Sequence, residues 1–485
     1  MVSDKSVEFY KKIIHANSPW IQDPSRLIEP EAYRREAFFQ VKKELSAPHG
    51  NAVLIKGPRR VGKTETQRQL IQDLVQSGVS PKFILYLSFD DLQIISERPD
   101  DRARTVQHIL DAWAEILGFD MYDEIAVPAY CFFDEVQEVK DWAHLVKNRI
   151  ERNHHVRIVL SGSAAHSIFE KALKILLGRV IDVKLAPFSF REYLEMNKYI
   201  SQETLAGVRQ VQLDFERGLN PVNLYNDLKT ATMSCDATKI RTYISEFLLK
   251  GGFPQLWKMD QYRQLETAQF MDDNYVKKVT LEDLMLLQSI KKPELYERLL
   301  RHLFARPGQE YSQQKVAVEL GTTTVTLAEG MRLLEQTDLL IFVEKFSLRA
   351  EPLKRRNIKV YPVDLMLTTA MTKVIPQLET LEKGMIAESL VAQTTHRLKN
   401  LSALAFMQSD DVRFAGEIDF YLRADMHDCP VEVKYQTDIR GQDIAALKRV
   451  VGERGLIGGI LVTVDEWHVS QNIYSIPLWA FMLLA

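Results

Sequence analysis

The sequence predicts an α/β chain organised around parallel sheets, and three observations predict it. An apolar run, Ala52-Val53-Leu54-Ile55-Lys56, leads directly into Gly57-Pro58-Arg59-Arg60-Val61-Gly62-Lys63-Thr64, and a helical period follows. Later apolar runs end in acids or small polar residues, as buried parallel strands do where ligands meet their C-terminal ends. Towards the C-terminus, a strand carrying Asp419 precedes a hairpin and then Glu432-Val433-Lys434. At 485 residues the chain exceeds one hydrophobic core, so two to four domains are expected.

Taken in order, residues 1–45 read as mixed and partly helical, with the charged stretch from Ile28 to Leu45 packing against the core that follows. The glycine loop fits G-x-x-x-x-G-K-[ST], the phosphate-binding pattern. Its glycines let backbone N–H groups turn inward around phosphate oxygens, and the helix N-terminus adds its positive end. The residues from Gly57 to Glu65 are therefore the expected ATP-binding set: Gly57, Pro58, Arg59, Arg60, Val61, Gly62, Lys63, Thr64 and Glu65. Lys63 is placed to reach the β- and γ-phosphates, and the Thr64 hydroxyl to hold Mg²⁺. The helix beyond carries Leu70, Ile71, Leu74 and Val75 on one face.

Lys82 to Phe89 is a second strand, closed by Asp90-Asp91, and a helix around Thr105 to Leu117 follows. Tyr130-Cys131-Phe132-Phe133-Asp134-Glu135 is a buried strand ending in two acids, which after a phosphate loop reads as the second nucleotide motif. Asp134 would hold Mg²⁺ through water, and Glu135 would polarise the attacking water. Val156 to Leu160 is a third buried strand, with Ser161-Gly162-Ser163 at its C-terminal end; Ser163 there can sense the γ-phosphate or the attacking water. Gly178-Arg179 precedes a strand from Val180 to Leu185. Arg179 reads equally as an ordinary surface arginine or as an arginine finger acting in trans on a neighbouring subunit.

The runs GPRRVGKT, FFDEVQEVKDW, IVLSGSAA and GRVIDVKLAPFSFREYL, together with Lys250-Gly251-Gly252-Phe253-Pro254, resemble the prokaryotic AAA-type ATPases fused to a DUF4143 region. The resemblance covers roughly residues 45–485. It implies a P-loop αβα ATPase core with a parallel sheet, and it names the machine better than its task. Residues 1–195 are thus expected to be the ATPase domain with an N-terminal extension, and residues 196–290 a helical lid or connector without evident chemistry.

Residues 291–365 carry the pattern of a winged helix-turn-helix. Leu295 to Phe304 is one helix; Ser312 to Leu320 is a second, N-capped by Ser312; Gly321 turns the chain into a third from Thr322 to Gln336; and Leu339 to Glu344 pairs with Ile358 to Pro362. The third helix contains the single cation Arg332, few for a groove-reading helix, whereas Arg349, Lys354, Arg355 and Arg356 could contact phosphates from the wing. Contact with DNA and a protein-packing role stand level.

Residues 366–485 hold the second chemical signal. A helix from Gly384 to Lys399 holds Glu388, a strand from Gly416 to Leu422 holds Asp419, and Pro430 to Lys434 places Glu432 and Lys434 on one face. A helix from Asp443 to Glu453 and a strand from Gly459 to Thr463 complete an α-β-β-β-α-β order that resembles the PD-(D/E)XK nuclease core. That resemblance implies Asp419, Glu432 and Glu388 as Mg²⁺ ligands and Lys434 as the group that orients water or stabilises charge.

Composition narrows the function classes. The chain is 46% hydrophobic and 26% charged, ordinary for a soluble globular protein. Its formal net charge of −3 provides no global basic field for nucleic acid. Cys131, Cys235 and Cys429 lie far apart without C-x-x-C spacing, which argues against zinc and disulfides and suits a reducing cytoplasm. No signal core or membrane-length apolar run is present, and Ile476 to Ala485 reads as a buried end. Together these readings predict a cytoplasmic ATP- and Mg²⁺-dependent ATPase, homo-oligomeric, that controls a C-terminal nuclease-like domain acting on DNA. The alternative is a nucleotide-dependent switch whose C-terminal domain is a non-catalytic interaction or regulatory module.

Overall fold

The computed structural model describes residues 4–47, 52–91, 94, 101–118, 128–152, 155–163, 174–259, 264–279, 284, 293–346, 357–380, 382–408 and 416–485. The chain divides into two compact units, Met1–Ala186 and Pro187–Ala485. The helix Phe190–Met196 packs with later parts of the chain and falls in the second of these units.

In the first unit, β1 (Ala52–Gly57), β2 (Ile84–Ser88), β3 (Ala129–Asp134), β4 (Val156–Ser163) and β5 (Val180–Lys184) form one sheet in the order β2-β3-β4-β1-β5, with every pair parallel. The inner strands read as largely apolar runs, and most of their side chains are buried. The C-terminal ends of β1 and β3 lie on the same edge, with β4 between them, so the glycine loop and the Asp134-Glu135 pair meet there. β4 runs on to Ser163, so Ser161 and Gly162 belong to the strand and not to the loop after it.

The N-terminal extension finishes this sheet. Helix Asp4–Asn17 packs on helix Arg102–Leu117, where the Tyr10 hydroxyl meets His108 Nδ1 at 3.0 Å. Ser18 Oγ then donates to Tyr86 O (2.7 Å) and accepts from Tyr86 N (2.8 Å), and Trp20 Nε1 donates to Ile84 O (2.9 Å). These bonds satisfy the outer edge of β2, which would otherwise expose an unpaired ladder.

In the second unit, helices Gln202–Gly218, Pro221–Ala231 and Ala237–Lys250 precede the Gly251-Gly252 turn. Helices Pro293–Ala305, Gln313–Glu319 and Thr324–Glu335 follow. Ser312 stands at an N-cap position, but its side chain makes no capping bond; Thr323 does cap its helix, accepting from Thr326 N at 3.2 Å. The strands are β6 (Glu310–Ser312), β7 (Leu340–Lys345), β8 (Asn357–Pro362), β9 (Ala403–Gln408), β10 (Glu417–Ala424), β11 (His427–Val433), β12 (Gly459–Thr463), β13 (His468–Ser470) and β14 (Ile473–Pro477). β7 and β8 pair antiparallel, as the wing pattern requires.

They do not form a separate wing. β7 also pairs with β9, so one nine-stranded sheet runs β13-β14-β12-β11-β10-β9-β7-β8-β6 and crosses the expected domain boundary at 365. The wing cations Arg349, Lys354, Arg355 and Arg356 lie outside the described residues. On helix Thr324–Glu335 the exposed positions are Thr324, Val325, Glu329 and Arg332. Helix Lys383–Arg397, β9, β10, β11, helix Ala445–Glu453 and β12 follow the expected α-β-β-β-α-β order, and the C-terminal stretch from Ile476 to Ala485 is buried.

Candidate nucleotide site and a second acidic site

The glycine loop starts where β1 stops. A Cβ on Gly57 would lie 1.9 Å from Leu185 O, so only glycine lets the loop pass β5 this closely. Arg60 (φ 62°) and Gly62 (φ 102°) turn the chain left-handed before helix Lys63–Gln76 begins. Lys63 is buried, and its Nζ donates to Gly57 O and Pro58 O, each at 2.9 Å, so the ammonium lies folded over the loop it would share with phosphates. Arg35 braces the loop from outside through bonds to Val61 O (3.1 Å) and Ala186 O (2.8 Å). Gln69 Nε2, one turn into the helix, holds the extension by Glu31 O (2.9 Å) and Tyr33 O (2.7 Å), and Glu65 Oε1 accepts from Glu31 N (2.5 Å).

Asp134 is the hub of the site. Its Oδ2 accepts from Thr64 Oγ1 (2.6 Å) and Tyr86 OH (3.0 Å); its Oδ1 accepts from Ser161 Oγ and from Glu135 N (3.1 Å). A threonine hydroxyl in contact with a buried carboxylate is a hard-oxygen pair that suits Mg²⁺. Thr64 and Asp134 therefore fit the metal the motif implies, and Lys63 fits the triphosphate. Glu135 follows with φ 51°, a left-handed turn that swings its side chain away from the line of β3. Burial pushes the Glu135 carboxyl above the usual carboxylate range; Asp134 adds to this, while Lys63, Arg59 and the hydrogen bond from Gln137 Nε2 oppose it.

The other expected residues of this unit fall differently. Ser163 ends β4 with its backbone in register with Gly57, beside the loop. Arg179 stands at the opposite edge of the sheet: its carbonyl accepts from Ala52 N at the start of β1, and its guanidinium pairs with Glu151 Oε1 at 2.8 Å. At about 3.3 Å per residue, the length of β1 separates it from its own glycine loop. Ser161 was read from sequence only as part of the Ser161-Gly162-Ser163 end of its strand, with Ser163 as the candidate, and Tyr86 and Arg35 were not singled out. They come from separate strands or from the N-terminal extension, and no local pattern ties them to the loop.

In the second unit, Asp419 and Glu432 face each other across β10 and β11, whose register pairs Phe420 with Val431. Asp419 Oδ2 accepts from Val433 N (2.9 Å), Asp419 N donates to Glu432 Oε2 (3.3 Å), and Lys434 Nζ donates to Glu432 Oε1 (2.5 Å). Glu388 lies close enough to Asp419 to feel its charge. Burial, reinforced by Asp419, pushes the carboxyls of both Glu388 and Glu432 well up from the usual range.

A residue outside the expected set enters here. Lys359 of β8, 5% exposed, puts its Nζ 3.0 Å from Glu388 Oε1 and 3.6 Å from Asp419 Oδ1, and it also pairs with Glu417 Oε1. Tyr361, two residues on, donates to Glu388 Oε1 at 2.5 Å. Among the described residues no group of three or more His, Cys, Asp or Glu side chains is disposed to hold a metal ion. As arranged, Glu388, Asp419 and Glu432 do not fit the Mg²⁺ the resemblance implies, because an ammonium stands among the oxygens that would bind it. The signal for Lys359 was the alternation in Asn357-Ile358-Lys359-Val360-Tyr361, which places a cation and a phenol on one face of a buried strand.

Residues 49–194 match the family model described as an AAA domain, and residues 241–378 match a domain of unknown function, DUF8612, where a DUF4143 region was expected. The chain thus carries an AAA-type, ATPase-like domain. It is similar to an uncharacterised protein of Methanocaldococcus jannaschii, 26% identical over 92% of this chain and 87% of the relative. An uncharacterised protein of Haemophilus influenzae is 23% identical over 64% of this chain and 66% of its own length. Among solved structures, a DNA polymerase III gamma subunit-related protein of Thermotoga maritima aligns at 15% identity and a TM-score of 0.25, over 62% of this chain and 97% of that one. At that score the likeness carries no weight here. No helix among the described residues is long and apolar enough to cross a membrane.

Proposed function

We propose that the chain is a Mg²⁺-dependent ATPase whose first unit binds and hydrolyses ATP and acts as a nucleotide-dependent switch. The observation that carries this reading is the convergence of Thr64, Tyr86 and Ser161 on Asp134 beside the buried Lys63 ammonium. When bound, Mg²⁺ would neutralise charge on the β- and γ-phosphates. Thr64 and Asp134 hold that position, the loop N–H groups and Lys63 cradle the phosphates, and Glu135 takes the proton of the attacking water. Arg179 belongs to this reading only as a group given to a neighbouring subunit, since it stands at the far edge of its own sheet. Homo-oligomerisation and a cytoplasmic setting go with that role.

The second unit is read as a regulatory or interaction module built on a nuclease-like frame. The supporting observation is Lys359, whose ammonium sits among Glu388, Glu417 and Asp419. The second reading, metal-dependent cleavage of DNA, is favoured by the Asp419–Glu432 register and the Lys434 contact. The experiment that tests both measures ATP hydrolysis by the full chain and by Lys63→Ala, then incubates each with plasmid DNA and Mg²⁺ or Mn²⁺. Hydrolysis lost in Lys63→Ala, with DNA intact, is the expected result. Unchanged hydrolysis in the variant would remove the glycine loop from the reaction, and cleavage abolished by Lys434→Ala would replace the switch reading with the nuclease one.

A further inference from the structure

The arrangement around Lys359 asks why a buried strand would carry an ammonium into a cluster of acids. Four carboxylates gather there: Glu388 from its helix, Glu417 and Asp419 from β10, and Glu432 from β11. A buried group of like charges is unstable unless cations or hydrogen-bond donors compensate it. Lys434 answers Glu432 from the open side. The other acids are answered from β8, although β7 and β9 lie between β8 and β10 in the hydrogen-bonded order. The Lys359 ammonium touches Glu388, Glu417 and Asp419 together, and its side chain is 6% exposed. Tyr361, 0% exposed, adds a hydroxyl donor to Glu388. Two side chains from one face of one strand thus supply the charge and the hydrogen bond that the acids need.

The geometry points to Lys359 as the resident cation of this site, which closes Glu388 and Asp419 to divalent metal as long as its ammonium stays in place. The inference rests on reading these acids as a nuclease-like set, and it deepens that reading by naming the group that competes with metal for their oxygens. An ammonium and a divalent ion want the same oxygens, and the ion wants them at roughly 2.0–2.6 Å with no cation between. An ammonium that occupies these oxygens competes with the ion for them and repels it at such separations. The lysine comes from the segment read as a wing, so the strand pair that looks like a nucleic-acid element serves here to plug the acidic site. Metal entry requires movement of the Lys359 side chain.

The test is a calorimetric titration of Mn²⁺ into the full chain without nucleotide, on the wild type, Asp419→Asn, Lys359→Met, Lys359→Arg and the double variant Lys359→Met/Asp419→Asn. The wild type is expected to show no Mn²⁺ uptake that Asp419→Asn removes. Lys359→Met is expected to gain one site per chain, at least tenfold tighter than any wild-type uptake and lost in the double variant. Lys359→Arg, which keeps the charge, is expected to stay closed. Asp419-dependent uptake by the wild type would overturn the inference, as would a folded Lys359→Met that binds Mn²⁺ no better than the wild type. Should Lys359→Met not fold, Lys359→Gln, which also removes the charge, is measured in its place on the same criterion. ATP plays no part in this measurement, so failure here and failure of the ATPase reading are seen separately. Wild-type DNA cleavage dependent on Lys434 would likewise support the nuclease-like frame while removing the plug.

Discussion

Asp134 gathers donors from three elements: Thr64 from the loop helix, Tyr86 from β2 and Ser161 from β4. Each donor fixes one direction of the carboxylate, and on the proposed reading the place of Mg²⁺ depends on all of them. Tyr86→Phe removes one hydrogen bond, worth about 0.5–1.5 kcal/mol, and so should lower the apparent Mg²⁺ affinity of ATP hydrolysis by roughly two- to tenfold. A Mg²⁺ titration of steady-state hydrolysis checks this; an unchanged half-saturation would mean that Tyr86 only packs. Glu135 gives a pH prediction. Its carboxyl is raised above the ordinary value of 4.5, chiefly by burial, and the working form is the carboxylate. Hydrolysis should therefore fall as pH drops through that raised pKa, at a higher pH than an exposed glutamate would show. Gln137 hydrogen-bonds the charged form and lowers the pKa, so Gln137→Ala should move the acid limb further up. A pH–rate profile of the two proteins reads the shift directly, and coincident limbs would remove Gln137 from that role.

At the scale of elements, two motifs that carried the resemblance prove to be one structural joint. Gly252 O accepts from Phe188 N at 2.5 Å, and a Cβ on Gly252 would lie 2.4 Å from Phe188 O. The Gly-Gly-Phe-Pro turn and the Pro-Phe-Ser-Phe-Arg-Glu-Tyr segment thus need each other, with no chemistry implied. Asp364 locks the joint from within: 3% exposed, it accepts from Gly252 N at 2.5 Å and from Met366 N at 2.8 Å. An amide in its place must turn its NH₂ towards one of these N–H donors. Asp364→Asn should therefore cost about 1–3 kcal/mol, seen as a lower urea midpoint for the second unit; an unchanged midpoint would show the joint holds without the carboxylate. The glycine loop, β3 and the α-β-β-β-α-β order were legible from sequence because each is written in a contiguous stretch with its own period. The parts that Tyr86 and Ser161 play at Asp134 and the Lys359 contacts were not, because their members lie tens of residues apart and meet only through the packing of separate elements. The wing was legible as a pair of strands but not as part of a larger sheet, since nothing local in Leu340–Lys345 announces that β9 will pair with it.

At the scale of the whole molecule, the chain pairs an ATPase-like unit with a unit whose acids are already answered by lysines. On the proposed reading that combination favours a switch over a cutting engine, with turnover in the first unit as the change of state and the second unit as the element that responds. Arg179 is the residue that ties this scheme to assembly. In its own chain it is partly exposed and pairs with Glu151 at the edge away from the glycine loop. If it completes a neighbour's site, a mixture of Lys63→Ala and Arg179→Ala chains, each inactive alone, should recover part of the wild-type rate, and specific activity should rise with protein concentration. A concentration-independent rate from a monomer would leave Arg179 a surface ion pair.

The central claim is that Asp134 and Glu135 form the hydrolytic centre behind the glycine loop. Comparing ATP binding with single-turnover hydrolysis for the wild type and Glu135→Gln tests it most directly. Removing a general base costs typically 10²–10⁴-fold, so the variant should bind ATP about as tightly as the wild type while hydrolysing it on the order of a hundredfold or more slowly. A variant that turns ATP over at the wild-type rate would contradict the account.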